Sequence, residues 1–374
     1  MTKYLAGDRI TGTSTERTGT SLPSGTNAGW KFLGRSTRVS SDKLQVASLG
    51  NYPYYMILAH VKTPDGNDVI PRFTINDDTS GSNGSSGKYS ERHSYNGGAD
   101  TTDKTFQTDS AVLCQTLDGA GKQAFIVNYL ANLSGQEKLN ICNSVDTDAG
   151  TGSNAPNRRN KVWKWANSSV VTSIELINGG SATANGDFGA DDEFVVLGYD
   201  PTATNEENFW EELATVTSDG TSKTITSSTF AKKKYLWIQY YAHSATSGSQ
   251  GSNGTIYVGT DSINTSNYAV RYSWENGDTD YTSGSTSGGL GQVESNYGAF
   301  GNMFVINNDG DEKLSIGSFT YADATGNTAP TATEYIGKWK TTSGQINIVQ
   351  MHNSAGGSPP NFKNTTILKV WGHD

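Results

Sequence analysis

Cysteine is almost missing from this chain: 2 residues of 374, Cys114 and Cys142. A small fold stapled by disulfides needs a framework of pairs, so cross-links are excluded as the main source of stability. One bridge between the two thiols stays open. No apolar run approaches the ~18 residues that a membrane-spanning helix needs, so no membrane insertion is expected. Positive charge is short too. The longest basic run is Lys232-Lys-Lys234, and the net charge is −9. A groove for nucleic acid needs a basic stripe, so no nucleic acid partner is expected. Met1 to Gly7 leads straight into charged and polar residues. It lacks the apolar stretch of an export signal, so synthesis in a cytoplasm is the expectation.

The usual signatures of chemistry are missing as well. No His is followed by Glu, which removes the common zinc-protease helix. No Gly-x-Ser-x-Gly elbow occurs. The pairs Gly87-Lys88, Gly121-Lys122 and Gly337-Lys338 are not followed by Ser or Thr, so none is a phosphate loop. Gly289-Leu-Gly291 lacks the third glycine of a dinucleotide fingerprint. Paired carboxylates at alternate strand positions, the usual arrangement in a sandwich glycosidase, are not seen, because the acids sit mostly in loops. The expectation is a protein that is not an enzyme and has no cofactor.

What the chain does have is glycine (43), tyrosine (18) and tryptophan (8), with Ser, Thr, Asn and Asp crowding every gap. That is the composition of short strands joined by turn-rich loops. It also has a duplication. Gly135-Gln-Glu-Lys-Leu-Asn-Ile141 returns as Gly310-Asp-Glu-Lys-Leu-Ser-Ile316, 175 positions later. The match carries outward. Lys164-Trp165 answers to Lys338-Trp339, Gly198-Tyr-Asp200 to Gly372-His-Asp374, and Trp30 with Leu33 to Trp210 with Leu213. Arg92-His-Ser94 answers to Arg271-Tyr-Ser273, and Ala59-His60 to Ala242-His243. The offset drifts only through Gly/Ser-rich stretches, where insertions cost little. A period of about 170 residues is domain-sized, far longer than a solenoid repeat. Cys142 aligns with Gly317, so the second copy folds without that thiol.

The organisation that follows is an extended N-terminal arm (1–29), a first unit (30–200), a linker marked by Pro201 (201–207) and a second unit (208–374). Tyr54-Tyr-Met-Ile-Leu-Ala59 and its partner, from Tyr235 to Ala242, are apolar runs of strand length and read as central strands buried on both faces. Phe125 to Leu130 and Glu137 to Asn143 flank a turn at Ser134-Gly135 and read as a hairpin, with Leu139 and Ile141 on one face. That face is expected to be core. Asn205 to Thr215 has a helix-start pattern, which the match to the non-helical Trp30 to Thr37 overrules. With nine or ten short strands per unit, the fold class is all-β: two tandem antiparallel β-sandwiches, jelly-roll-like. An immunoglobulin-like sandwich is the runner-up, but its units are smaller.

Several residues carry weaker signals. His60 and His243, matched in the repeat, are expected to be strand-end histidines held by a backbone partner. Asp146-Thr-Asp148 and the stretch from Asp187 to Glu193 have the acid density of a structural calcium site, but the second copy lacks it. Tyr95, Trp274, Tyr281 and Tyr297 lie near loops. Tyr95 and Trp274 share a repeat position, which makes them the candidate glycan contacts, against a simpler reading as packing residues. In the arm, Tyr4, Leu5 and Ile10 are spaced apolar residues in a polar stretch. They are the candidate assembly contacts, suited to adding a strand to a neighbour's sheet edge.

Taken together, Tyr4 to Ile10, Trp30 to Ser36, Arg92 to Asp100, Asn132 to Leu139, Val162 to Asn167 and Val196 to Asp200 resemble a known family. Phe209 to Ala214, Gly337 to Trp339 and Leu368 to Asp374 continue the likeness in the second copy. The chain resembles an abundant family of virion structural proteins from marine tailed viruses and related environmental viral genomes. The resemblance implies a place in a virus particle and supplies no catalytic residues. The expectation is a surface-exposed virion component: a capsid decoration, head fibre or tail-fibre-like protein. A glycan-binding, lectin-like module for host attachment is the alternative, as is a double-jelly-roll major capsid protein. Expected partners are other virion proteins or copies of the chain itself in a homo-oligomer, with a trimer favoured, and host-surface glycans.

Overall fold

The computed structural model describes residues 29–37, 43–64, 68–79, 88–96, 110–114, 116–147, 150–179, 188–200, 208–243, 253–274, 280–283, 289–294, 298–322, 330–354 and 361–374. Every regular element among them is a strand. The first unit holds β1 (Lys31–Thr37), β2 (Lys43–Ala47), β3 (Tyr54–Lys62), β4 (Pro71–Ile75), β5 (Tyr89–Tyr95), β6 (Ala111–Val112), β7 (Gln123–Ala131), β8 (Lys138–Asp146), β9 (Asn157–Trp165), β10 (Ser173–Asn178) and β11 (Glu193–Tyr199). The second holds β12 (Glu211–Thr217), β13 (Thr224–Thr226), β14 (Tyr235–Ala242), β15 (Asn253–Thr260), β16 (Ser262–Asn264), β17 (Tyr268–Trp274), β18 (Asp280–Ser283), β19 (Gly291–Glu294), β20 (Ala299–Ile306), β21 (Lys313–Tyr321), β22 (Thr331–Trp339), β23 (Ile348–Asn353) and β24 (Ile367–His373). Both units exceed the nine or ten strands expected, because short edge pieces such as β6, β16 and β18 carry no periodic signal of their own.

Each unit is an antiparallel sandwich of one large and one small sheet. The large sheets run β1-β11-β3-β7-β8-β9-β5 and β12-β24-β14-β20-β21-β22-β17-β18. The small ones run β2-β10-β4-β6 and β13-β23-β15-β16, with β19 also paired to β15. The order and register of the first unit recur in the second, with β19 in the place of β6 and with β16 and β18 added at sheet edges. Leu139 sits opposite Ala131 and Lys164, and Leu314 opposite Ile306 and Lys338. The first strand of each unit carries a bulge at one matched place, between Phe32 and Gly34 and between Glu212 and Ala214. The extra residue is Leu33 in one and Leu213 in the other, and each packs on its own core.

The alternation along the central strands shows why they are apolar on both sides. In β3, Tyr55, Ile57, Ala59 and Val61 face the small sheet, while Met56 and Leu58 face the other way. In β14, Leu236, Ile238 and Tyr240 face their own small sheet, while Tyr235 points outward. The outward residues of both large sheets meet in a third core, with Phe125, Val127, Val195 and Leu197 from the first unit and Trp210, Phe304, Leu314 and Trp371 from the second. The molecule is therefore four layers deep, small–large–large–small. A strand in either inner layer has no solvent face where the layers overlap, hence the unbroken apolar runs.

One sequence expectation fails here. Leu139 and Ile141 do not belong to the core of the first unit; they are 60% and 58% exposed. The side of β8 that faces the core carries Lys138, Asn140, Cys142 and Ser144, all buried. Asn140 accepts a hydrogen bond from Asn128 at 3.0 Å, and Asn128 accepts one from the Trp163 indole at 3.2 Å. Polar groups hydrogen-bonded to one another occupy the inside, so the apolar residues of this strand are left outside.

Candidate functional site

The repeated heptad explains itself as architecture. Gly135 and Gly310 have φ of 71° and 84°, the left-handed region that a Cβ disfavours, and each sits in the turn between paired strands. The lysine three residues on is buried in both copies. Lys138 Nζ donates to the carbonyls of Gln136 (2.6 Å), Leu133 (2.9 Å) and Ser168 (3.2 Å). Lys313 Nζ donates to those of Asp311 (2.6 Å), Thr341 (3.3 Å) and Thr342 (3.4 Å). The ammonium ties the hairpin turn to the loop after the next strand, so the motif is a turn clamp.

The clamp has a pH signature. Burial pulls the Lys313 ammonium from 10.5 down to about 8, against the opposing pull of Asp309 and Asp311. Burial lowers Lys138, Lys161 and Lys338 as well. The folded chain gives up these protons before the unfolded chain does, so stability rises as pH climbs from about 8 towards 10. Tyrosines act in the opposite sense. Burial pushes Tyr55 up to about 12 and raises Tyr235, Tyr268 and Tyr335. Stability then falls as pH passes the ordinary tyrosine value of about 10. Urea midpoints across this range are expected to show a maximum, and Lys313→Met should flatten the rise while leaving the alkaline fall. A midpoint that declines steadily from pH ~8 upward would contradict this assignment.

The remaining sequence candidates also serve structure. His60 is fully buried between the units. Its Nε2–H donates to Gln123 Oε1 (3.1 Å) and its Nδ1 accepts from Asn308 Nδ2 (3.0 Å). Burial lowers its pKa, with Asp311 opposing. Its partners are thus side chains, not the backbone group expected. Nor is it matched to His243. His60 pairs with Phe125 and Glu193, and the same ladder position in the second unit is Tyr241, opposite Phe300 and Ile367. The sequence match was two residues out because the same Ala-His dipeptide occurs inside β3 (Ala59-His60) and at the end of β14 (Ala242-His243). His243 accepts from Lys363 Nζ at 3.0 Å.

The two acidic stretches show where their carboxylates go. Asp146 accepts from Asn157 (2.9 Å). Asp192 accepts from the backbone N–H of Lys62 and of Gly189, both at 2.6 Å. Glu193 accepts from the Tyr235 hydroxyl (2.8 Å) and lies 3.3 Å from Lys234 and 3.4 Å from Arg35, joining the units. Asp148 and Asp187 lie outside the described residues. Among those described, no group of three or more His, Cys, Asp or Glu side chains is arranged to hold a metal ion. Cys114 and Cys142 are both buried, and no disulfide joins them.

Tyr95 closes β5, partly exposed, with the Arg159 guanidinium 5.6 Å above its ring. Trp274 holds the same ladder position at the end of β17, opposite Thr333 as Tyr95 is opposite Arg159. The Trp274 and Tyr281 side chains, all of Tyr297, and Tyr4, Leu5 and Ile10 of the arm lie outside the described residues. The structure does not bring Tyr95 together with a second described aromatic ring.

The surface feature that stands out is one the sequence reading assigned to the core. On the outward face of the first large sheet, Leu139, Ile141 and Val162 are open to solvent, Val162 at 48%. With Trp30, Tyr54 and Tyr129 they line a concavity of about 800 Å³. Trp30 stands at one wall, its ring 5.5 Å from Tyr199 and 6.1 Å from Tyr129, and Tyr54 lies 6.3 Å from Tyr199. The charged residues of its lining are Glu91, Arg92 and Lys164, and Lys164 pairs with Glu137 at 2.8 Å. The matched residues of the second unit, Trp210, Tyr235, Phe304, Leu314, Ile316 and Ile336, are all buried in the core between the units. The same face is thus built twice, covered once and left open once. The signal in the sequence was the polar inner row Lys138, Asn140 and Ser144, which leaves Leu139 and Ile141 nowhere but outside.

An apolar concavity suits protein contact. No protein-family model and no curated protein sequence matches this chain. Among solved structures it is similar to domains LG4–5 of the mouse laminin α1 chain, with 8% identity, 92% of this chain and 91% of that chain covered, and a TM-score of 0.18. A score that low carries no argument about fold or function.

Proposed function

We propose that this chain is a non-enzymatic structural protein of a virus particle, displayed on the particle surface as a capsid decoration, head-fibre or tail-fibre-like component. The observation that carries the structural half is the open face of Leu139, Ile141 and Val162. A contiguous exposed apolar surface is a seat for a polypeptide segment, of this chain or of a neighbour. The spending of the repeated polar residues on turn clamps and on the join between units favours the same reading. The viral half rests on the likeness of Tyr4 to Ile10, Trp30 to Ser36 and the matched segments to virion structural proteins.

Quantitative mass spectrometry of purified particles from an infected culture tests it. The chain is expected in the particle fraction at a fixed copy number. Tens of copies fit a fibre and hundreds fit a decoration or a double-jelly-roll shell. Abundance in the lysate with none in the particles would overturn the proposal. The lectin-like alternative predicts a glycan-array signal that Trp274→Ala or Tyr95→Ala abolishes. A particle protein with no such signal leaves the structural role standing alone.

A further inference from the structure

The open face of the first unit has a covered twin, and the twin shows what kind of partner such a face takes. In the second unit the matched residues lie against Phe125, Val127, Val145 and Val195 of the first. A second copy of the chain cannot supply that surface again. Those four residues are already covered, and their ladder equivalents in the second unit are Phe300, Asn302, Thr320 and Lys369. Three of the four are polar. Lys369 is paired with Glu212, and Asn302 accepts hydrogen bonds from Trp237 (2.6 Å) and Gln239 (3.0 Å). Head-to-tail stacking of copies would press an apolar face on these groups and strip their water without return.

The chain holds another candidate of its own. Residues 1–28 lie outside the described residues, and they join the fold at Gly29, next to Trp30, the wall of the concavity. From β1 the sheet runs β11, β3, β7, β8, β9. Val162 on β9 is therefore five strand spacings from the arm's point of attachment, roughly 24 Å. An extended chain covers that distance in about seven or eight residues. Counting back from Trp30, the eighth residue is Leu22. It is followed by Pro23, which biases Leu22 itself towards an extended backbone. Leu22 is the only large aliphatic residue between Ile10 and Trp30.

We infer that the open face of the first unit is the seat of the chain's own N-terminal segment, which crosses the strand ends and places Leu22 over Ile141 and Val162. Attachment at the rim makes the contact intramolecular, with the high effective concentration that a short tether gives. Tyr4, Leu5 and Ile10 then lie beyond the far edge of the sheet and stay available to a neighbouring molecule. The inference does not depend on the viral assignment, because its test needs only the isolated full-length chain.

Trypsin cleavage after Arg17, five residues before Leu22, reads out the seating. Ile141→Asp and Leu22→Asp are each expected to speed that cleavage at least tenfold, by the same factor, and the double variant should be no faster than either alone. Melting should fall only by the seating equilibrium itself, about 1.4 kcal/mol for a factor of ten and equal in the two variants, because Ile141 is solvent-facing and holds no other described element. Protection in the parent chain should not vary with protein concentration. Equal cleavage rates in parent and variants would overturn the seating. So would protection lost on dilution, which means an exchanged arm, or a lowered oligomeric state in Ile141→Asp with cleavage after Arg17 unaltered, which means an interface between copies. As a check that does not rely on the substitutions, a synthetic peptide of residues 1–28 should bind a chain lacking residues 2–27 and fail to bind the full-length chain. Binding to neither would also overturn it.

Discussion

Leu314→Ala is expected to destabilise the protein by about 2–5 kcal/mol, and its repeat twin Leu139→Ala by no more than about 0.5 kcal/mol. The two leucines share a motif, a strand position and a register. They differ in what covers them. Leu314 is fully buried where the two large sheets meet, so truncation leaves a cavity among Phe125, Val127 and their neighbours. Leu139 is 60% exposed, and its removal takes away side chain that already faces water. Denaturant unfolding of the two single variants measures the difference. Equal losses would mean that the open face is covered in the free protein by something as well packed as a second sheet.

A larger contrast is expected for charge. Glu137 pairs with Lys164 and Glu312 with Lys338, again the same positions of the repeat. The first pair stands in solvent, at 50% and 40% side-chain exposure, and such pairs contribute at most about 1 kcal/mol. The second is enclosed at the join between units, where Glu312 accepts from the N–H of Gly152 (2.7 Å) and Lys338 donates to the carbonyl of Gly150 (3.0 Å). Glu312→Ala strands a buried ammonium with one carbonyl and an unpaired N–H, which should cost about 3–5 kcal/mol. Replacing the whole pair, as in Glu312→Leu with Lys338→Met, should recover part of that loss, because both charges then disappear together. A double variant less stable than Glu312→Ala would show that the pair itself, not the stranded charge, carries the effect.

Both contrasts turn on pairs of residues that local sequence cannot tell apart. The heptad from Gly135 to Ile141 and its copy from Gly310 to Ile316 were legible as a hairpin turn and strand, since glycine at a left-handed position and alternation of two are local properties. The apolar runs of β3 and β14 were legible as two-sided strands for the same reason. The matched histidines were misread because a repeated Ala-His dipeptide is weaker evidence than a hydrogen-bonded ladder. The open face was misread because β8 alternates apolar with polar, and the pattern says only that the two faces differ.

The sequence by itself determined that the unit is written twice, that it is made of antiparallel strands, and where the clamped turns fall. These follow from short-range sterics and from periodicity, which one stretch of chain carries alone. Tertiary structure decided which side of β8 and β21 is inside. Burial depends on what a distant layer brings to the face, and a core row of Lys138, Asn140 and Ser144 is tolerable only because Ser168, Asn128 and Leu113, on other strands and loops, hydrogen-bond to it. It also decided that two matched faces have different fates. One chain supplies one matching surface, so the second unit's face is covered and the first unit's face is left for another segment.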